Sequence, residues 1–229
     1  MSVKENLEIV LKEINNEKSK DQDVLLVAVS KTHPADMIKE AYDFGIRDFG
    51  ENKVQELLEK IEVLPDDIRW HFIGHLQTNK VKQLIGKTFL IHSVDSLHLA
   101  EKISSEAKKK GITVDILVEI NISEEVSKFG ASSEEAIKLV KDMSLLENIR
   151  IMGLMTVAPY TLNPEDNSEI FKKLLNLSID IKALNLDNVN MNYISMGMSN
   201  DFKVAIHEGS NLVRIGTNIF GVRDYSKAK

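Results

Sequence analysis

The feature that most constrains the fold of this chain is a regular alternation of short apolar runs with longer amphipathic segments. Apolar runs of this length are typical of strands that are buried on both faces of a parallel sheet. Eight runs are predicted as strands: 24–30, 46–50, 70–73, 89–94, 114–120, 149–155, 189–196 and 212–220. The segments between them, such as 35–44, 96–110 and 168–184, have the spacing of helices. The sequence therefore predicts a series of βα units.

Eight βα units in a chain of 229 residues are typical of a TIM-type (β/α)8 barrel, whose usual length is about 250 residues. A doubly wound open sheet would show the same alternation and is the alternative. Apolar residues recur at helical spacing over 3–14, before the first strand, so we expect an extra N-terminal helix. No linker or strong repeat divides the chain, and we expect a single α/β domain over 1–229.

The composition argues against several classes of site and partner. A net charge of −6, spread over mixed acidic and basic residues, provides no basic footprint, so we expect no nucleic-acid partner. The chain has no cysteine, which excludes disulfides, thiolate metal sites and a cysteine nucleophile. Acidic residues interrupt the apolar ones at the N terminus, and no later stretch could span a bilayer. We expect a cytoplasmic protein without membrane contact.

Polar residues at the carboxyl ends of the predicted strands are the candidates for function, because the loops there converge on one crevice. Lys31 directly follows the first apolar run. In a poorly solvated, partly cationic site a lysine loses some of its ammonium form and can condense with an aldehyde. The alternative is a solvated lysine at a strand end. Asn52 closes the segment FGEN after the second run, either as a site residue or as a helix N-cap.

Two segments near the C terminus are candidates for binding phosphate. They are YISMGMSND at 193–201 and VRIGTNIFG at 213–221, which end the seventh and eighth runs. Their small residues leave backbone N–H groups able to face an anion, and Gly216 and Thr217 add further donors. Barrels of this type frequently build a phosphate site after strands seven and eight. The alternative is that the glycines serve only tight turns.

The histidines of the segment RWHFIGHLQTNK do not form a recognised metal motif. His71 lies inside a predicted strand and His75 in the following loop, without a carboxylate pattern such as HExxH. We interpret both as structural and expect no metal site.

Seven short motifs together resemble one family. They are AVSKT at 28–32, FGEN at 49–52, WHFIGHLQTNK at 70–80, SVD at 93–95, GLM at 153–155, SMGMSND at 195–201 and VRIGTNIFG at 213–221. In order and spacing they resemble the pyridoxal phosphate homeostasis protein family over nearly the whole chain. The resemblance implies a fold-type III barrel similar to the barrel domain of alanine racemase, with pyridoxal 5'-phosphate held in the barrel mouth as a Schiff base.

The resemblance also implies a role for each matching residue. Lys31 would form the Schiff base, and Asn52 would line the cofactor ring. Arg214 would approach the pyridine nitrogen, which should stay unprotonated because a guanidinium can only donate. The residues expected to hold the phosphate are Ser195, Gly197, Met198, Ser199, Gly216 and Thr217. His75 departs from the family pattern, in which many members have proline.

The resemblance implies a carrier or regulator rather than an enzyme. Racemases of this fold need a second acid/base, a tyrosine from a separate β domain, and we expect this chain to lack that domain. The expected partners are pyridoxal phosphate and apo-enzymes that use it, and family members are usually monomeric. Two alternatives are a fold-type III amino-acid racemase that uses Lys31 as its single base and a barrel that binds an unrelated phosphorylated metabolite.

Overall fold

Parallel strands close into a barrel in the computed structural model of this protein, which describes residues 1–123 and 129–222. The strands are β1 (Leu25–Val29), β2 (Asp48–Glu51), β3 (Arg69–Phe72), β4 (Leu90–Val94), β5 (Val114–Asn121), β6 (Ala131–Ser132), β7 (Ile149–Met155), β8 (Val189–Met198) and β9 (Leu212–Ile215). Their order around the barrel is β1, β2, β3, β4, β5, β7, β8 and β9, and β9 pairs with β1. Because β4 pairs with β5, the ring is closed. The prediction of a (β/α)8 barrel is confirmed, and the open sheet is excluded.

A helix follows each barrel strand before the next one begins. The helices are α1 (Val3–Glu17), α2 (Ala35–Phe44), α3 (Val54–Ile61), α4 (Val81–Leu84), α5 (Leu97–Lys110), α6 (Ser133–Ser144), α7 (Ser168–Ala183), α8 (Phe202–His207) and α9 (Thr217–Phe220). The expected extra helix is α1, which begins with a capping box between Ser2 and Glu5. Its buried face packs against α2, α8 and α9.

The predicted length of the last strand is wrong. Residues 212–220 were expected to form one strand, but β9 ends at Ile215 and 217–220 form a helical turn. The reason is tertiary: Ile219 and Phe220 are buried against α1, where Asn6 Nδ2 donates a hydrogen bond to the Ile219 carbonyl oxygen (2.8 Å). The two-residue β6 was not predicted either, and it pairs with β5 outside the ring.

The barrel interior is apolar in one part and polar in another. The apolar part is a small cluster drawn from five strands: Val27, Leu90, Leu117, Met155 and Leu212. Side chains alternate between the two faces of a strand. Because Phe72, Ile91 and Val213 belong to the outer core between strands and helices, their neighbours His71, His92 and Arg214 face the barrel interior. Polar residues buried inside a barrel need partners there, and these residues lead to the candidate site.

Candidate functional site

The nine predicted site residues lie on four adjacent strands of the barrel. Lys31 lies two residues after β1, and Asn52 directly follows β2. Ser195, Gly197 and Met198 end β8 and Ser199 follows it, while Arg214 lies on β9 and is followed by Gly216 and Thr217. The strands β2, β1, β9 and β8 are neighbours in that order. The fold therefore brings all nine residues to one side of the barrel mouth.

A buried ion pair holds the turn at 30–32, which carries Lys31. Lys60, on α3, has a side chain only 8% exposed, and its ammonium donates to Glu51 Oε1 (2.6 Å) and Glu56 Oε1 (2.7 Å). It also donates to the Ser30 carbonyl oxygen (2.8 Å), and the Ser30 hydroxyl donates to Glu51 (2.6 Å). Burial raises the pKa of Glu51 to about 7, although the charge of Lys60 acts in the opposite direction. Sequence reasoning did not identify this cluster.

Two buried oxygens near this turn have no hydrogen-bond partner. They are Thr32 Oγ1 and Asn52 Oδ1. The Thr32 backbone has a φ of 66° and its N–H donates to Glu56 (2.5 Å). Lys53, not Asn52, is the N-cap of α3, and a Cβ at Gly74 would lie 2.2 Å from the Asn52 carbonyl oxygen. Buried oxygens without partners are rare in proteins and indicate a place for a ligand or water.

The end of β8 is held in a tight turn. Gly197 has a φ of 91°, and a Cβ there would lie 2.5 Å from Ala205 Cβ, so both the backbone and the packing require glycine. The Met198 N–H donates to Asp201 Oδ1 (2.7 Å), and Asp201 also accepts from Asn167 (2.9 Å). The Met198 N–H therefore has an internal partner, contrary to the expectation that the backbone N–H groups of this segment face an anion unpaired.

The loops after β8 and β9 are joined by two hydrogen bonds. The Gly216 N–H donates to Ser199 Oγ (3.2 Å), and Asn218 Nδ2 donates to the Ser199 carbonyl oxygen (3.0 Å). The first bond uses Ser199 Oγ as an acceptor, so it leaves the hydroxyl hydrogen of Ser199 for another partner. Thr217 is exposed at the start of α9. This pair of loops is the part of the mouth best suited to an anion.

Arg214 is a buried cation inside the barrel. Its Nη1 donates to Ser195 Oγ (2.5 Å) and its Nη2 to the Thr156 carbonyl oxygen (2.8 Å). Burial lowers the pKa of Arg214 to about 10, while the negative charges of Glu119 and Asp201 act in the opposite direction. These bonds use two of the five N–H donors of the guanidinium.

Glu119, near the end of β5, is a further candidate site residue that sequence reasoning did not select. Burial raises its pKa to about 7, the charge of Asp95 raises it further, and that of Arg214 lowers it. The available signal was an acidic residue within an otherwise apolar run: Glu119 lies near the carboxyl end of the fifth run, 114–120, and Asp95 directly follows the fourth.

The histidines have protein partners. His71 lies 3.0 Å from Asp48 Oδ1 and 2.9 Å from His92, and both imidazoles are fully buried. His75 is stacked on Phe129 with ring centroids 3.9 Å apart, and its Nδ1 lies 3.7 Å from Asp95. Within 1–123 and 129–222, no group of three or more His, Asp or Glu side chains could hold a metal ion.

Comparison with known proteins defines the class to which this barrel and its site belong. Residues 3–224 match the family model of the alanine racemase N-terminal domain. The chain is 47% identical over 201 residues to the pyridoxal phosphate homeostasis protein of Aquifex aeolicus, covering 87% of each chain. It is 46% identical over 217 residues to the Homo sapiens protein of the same name, covering 88% of this chain and 78% of that one. The chain belongs to the pyridoxal phosphate homeostasis protein family, as the motifs implied.

A solved relative has the same fold. PipY from Synechococcus elongatus is 32% identical, and the match covers 96% of this chain and all of PipY. The TM-score is 0.87 for the structure of PipY without PLP and 0.83 for the structure with PLP bound. The expected similarity to fold-type III barrels is confirmed.

Among the helices of the described residues, none combines the length and the apolar character that crossing a bilayer requires.

Proposed function

We propose that this protein binds pyridoxal 5'-phosphate reversibly as a Schiff base on Lys31 and takes part in its homeostasis as a carrier or regulator. The observation that supports this most strongly is the position of Lys31. It lies in the turn after β1, on the side of the mouth where β2, β8 and β9 end. Membership of the family and the PLP-bound form of its relative PipY support the same ligand.

The residues at the mouth fit this cofactor. The buried oxygens of Thr32 and Asn52 lack partners, so a polar ring substituent would satisfy a group that the protein leaves unpaired. Lys31 would supply the amine: its Nζ would condense with the aldehyde carbon of the cofactor with release of one water, and hydrolysis or exchange with another amine would reverse the condensation. We expect Asn52 to line the ring. The hydrogen bonds of Lys60 to the Ser30 carbonyl oxygen and to Glu51 hold the turn that carries Lys31 in place.

The phosphate is proposed to lie between the loops after β8 and β9. The residues assigned to it are Ser195, Gly197, Met198, Ser199, Gly216 and Thr217. The Ser199 hydroxyl is the best placed donor, because its bond with Gly216 leaves its hydrogen for a ligand. The Met198 and Gly216 N–H groups already have internal partners, so they would have to exchange Asp201 or Ser199 for a phosphate oxygen.

Arg214 is proposed to face the pyridine nitrogen, and this would limit catalysis. A guanidinium only donates hydrogen bonds, so the nitrogen facing it stays unprotonated and the bound ring is a weaker electron sink. Burial lowers the pKa of Arg214 to about 10, but the group still carries its proton at neutral pH. We therefore propose a protein with little or no turnover. The second candidate, a racemase, is favoured by Glu119, a carboxyl group with a pKa near 7 that could exchange protons.

We further propose that residues 1–229 act as a single barrel domain, in the cytoplasm, as a monomer. Its partners would be pyridoxal phosphate and the apo-enzymes that receive this cofactor. The net charge of −6 supports the absence of nucleic acid from this set.

Borohydride reduction of the protein loaded with pyridoxal phosphate tests the proposal. Peptide mapping by mass spectrometry should place the reduced adduct on Lys31. Lys31→Ala should lose the adduct and keep weaker, noncovalent binding, because the phosphate donors remain. Lys203→Ala is the matched control, because Lys203 follows the β8 loop but pairs with Glu13 (2.7 Å), and it should keep the adduct.

Three results would contradict the proposal. No adduct at all would leave a barrel for another phosphorylated metabolite, and an adduct on Lys80 or Lys203 would move the site. Racemisation of alanine by the loaded wild-type protein, at a rate typical of enzymes, would favour the racemase.

A further inference from the structure

Five buried polar side chains cross the barrel interior in one unbroken series, which we call the interior network: Asp48, His71, His92, Ser195 and Arg214. Asp48 Oδ1 lies 3.0 Å from His71 Nε2, and His71 Nδ1 lies 2.9 Å from His92 Nε2. His92 Nδ1 lies 3.1 Å from Ser195 Oγ, which accepts from Arg214 Nη1 at 2.5 Å. None of the five is more than 4% exposed. The proposed function uses only the last two of them.

The hydrogen atoms of the network can be assigned from its ends. Burial raises the pKa of Asp48, but hydrogen bonds from Arg69 and His71 outweigh it and hold the pKa below its usual value. Asp48 is therefore ionised and only accepts, so His71 Nε2 must donate to it. A neutral imidazole has one donor and one acceptor nitrogen. His71 Nδ1 must then accept a hydrogen bond from His92 Nε2.

The same reasoning fixes the hydroxyl of Ser195. Burial lowers the pKa of His71, and it lowers that of His92 well below its usual value, with the charges of His71 and Arg214 acting in the same direction. Both rings are therefore neutral, and His92 Nδ1 is an acceptor. Its neighbour in the network is Ser195 Oγ, so the Ser195 hydroxyl donates to it. All four hydrogen bonds then run in one direction, from Arg214 to Asp48.

The opposite arrangement requires a charged His71. An imidazolium donates from both nitrogens, so His92 would accept at Nε2 and donate from Nδ1 to Ser195. The Ser195 hydrogen would then be available to a ligand. This arrangement adds a buried cation to an interior that already contains Arg214. Burial and the positive charge of Arg69 lower the pKa of His71, and together they outweigh the hydrogen bond and the charge of Asp48, which raise it.

We propose that Asp48, His71 and His92 are positioning residues that hold the Ser195 hydroxyl and the Arg214 guanidinium in one orientation. Ser195 then offers a ligand no hydroxyl hydrogen, so its assignment to the phosphate is limited to its backbone, which Ser195→Ala retains, and a hydroxyl hydrogen for the phosphate must come from Ser199 or Thr217. The network itself is a property of the protein without ligand. Only its effect on pyridoxal phosphate rests on the proposed function.

Nitrogen-15 NMR of the imidazoles in the ligand-free protein tests the hydrogen assignment directly. His71 and His92 should both be neutral, each with its hydrogen on Nε2, and both signals should disappear in the matching His→Gln variants. A His71 that carries hydrogen on both nitrogens, or a His92 with its hydrogen on Nδ1, would overturn the proposal. This measurement needs no cofactor, so it stands even if the proposed function fails.

The effect of the interior network on bound pyridoxal phosphate is tested by its visible absorption band and by its affinity. His92→Leu should shift the absorption band of bound pyridoxal phosphate because it leaves Ser195 without its acceptor, whereas His92→Gln, which can still accept and donate, should restore the wild-type band. Ser210→Ala is the control for a buried serine, because the Ser210 hydroxyl donates to backbone carbonyl oxygens of β8 and β9, and its loss should leave the band unchanged. Equal bands in His92→Leu and the wild-type protein would contradict the positioning role.

The ratio of affinities for pyridoxal phosphate and pyridoxal separates the two serines and remains decisive if His92→Leu does not fold. Ser195→Ala should keep the ratio within about twofold, whereas Ser199→Ala should lower it about tenfold, as expected for loss of a hydrogen bond to a charged group. A tenfold loss in Ser195→Ala would show that its hydroxyl binds the phosphate, and the proposal would be wrong. A wild-type protein that binds neither compound would instead refute the proposed function.

Discussion

Removing the buried ammonium of Lys60 should destabilise the protein far more than removing an exposed one. In Lys60→Met, the carboxylate of Glu51 stays fully buried without its cation, and the Ser30 carbonyl oxygen loses a donor. Breaking a buried ion pair in this way costs about 3–5 kcal/mol. The matched control is Lys39→Met, because Lys39 pairs with Asp43 while both side chains are 59% exposed. An exposed helical pair of that kind contributes about 0.3–0.5 kcal/mol.

The destabilisation should also depend on pH, with a sign that follows from Glu51. Its pKa in the folded state, about 7, lies above the ordinary value of 4.5. A raised carboxyl pKa gives stability that is present below pH 4.5 and is lost as the pH rises through 7, by about 3 kcal/mol in total. At pH 6 most Glu51 is protonated and uncharged, so the loss of the Lys60 charge destabilises the protein only a little. At pH 8 it is ionised, so the effect of Lys60→Met should be largest there.

Chemical denaturation at pH 6 and pH 8, followed by the fluorescence of Trp70, measures both effects. Trp70 is the single tryptophan of the chain and is buried, so its emission reports unfolding. Each variant is compared with the wild-type protein at the same pH, which removes the contribution of other titrating groups. Equal losses of stability in Lys60→Met and Lys39→Met, or a loss in Lys60→Met that is the same at both pH values, would refute this reasoning.

Three further predictions concern the mouth. Arg214→Glu should let the pyridine nitrogen take a proton and shift the visible band of bound pyridoxal phosphate, with Arg214→Gln as the control that adds no acid; an unchanged band would contradict the role of Arg214. Gly197→Ala should lower the free energy of unfolding by about 2 kcal/mol or more, measured by thermal unfolding, because alanine disfavours the positive φ and its Cβ would lie 2.5 Å from another side chain. The control is Gly45→Ala, which also has a positive φ but open space around it and should be less destabilising. Glu119→Gln should remove a step near pH 7 from the absorption of the loaded protein, because burial raises the pKa of Glu119 to about 7; a step that persists would contradict its titration there.

The candidate site was largely visible in the sequence because of one rule of α/β folds. Functional residues of these folds lie at the carboxyl ends of the strands, and the residue that follows an apolar run can be identified from the sequence alone. This rule selected Lys31, Asn52 and the two glycine-containing loops, and the order of the motifs identified the family. It did not reveal the partners of these groups. The Met198 N–H donates to Asp201, and the Ser199 hydroxyl oxygen accepts from the Gly216 N–H. Both bonds form only once the chain has folded, so the sequence alone did not indicate them.

The sequence by itself determined the units of this protein: the buried strands, the helices between them and the polar groups at the strand ends. Each of these depends on local apolar spacing, which a strand or helix of a few residues already contains. The closing of β4 on β5, the end of β9 at Ile215 and the interior network were decided only by the tertiary structure. His71, His92 and Lys60 illustrate the reason. Whether a polar side chain faces solvent or a buried partner depends on residues far along the chain, and only the closed barrel brings those residues within hydrogen-bond distance.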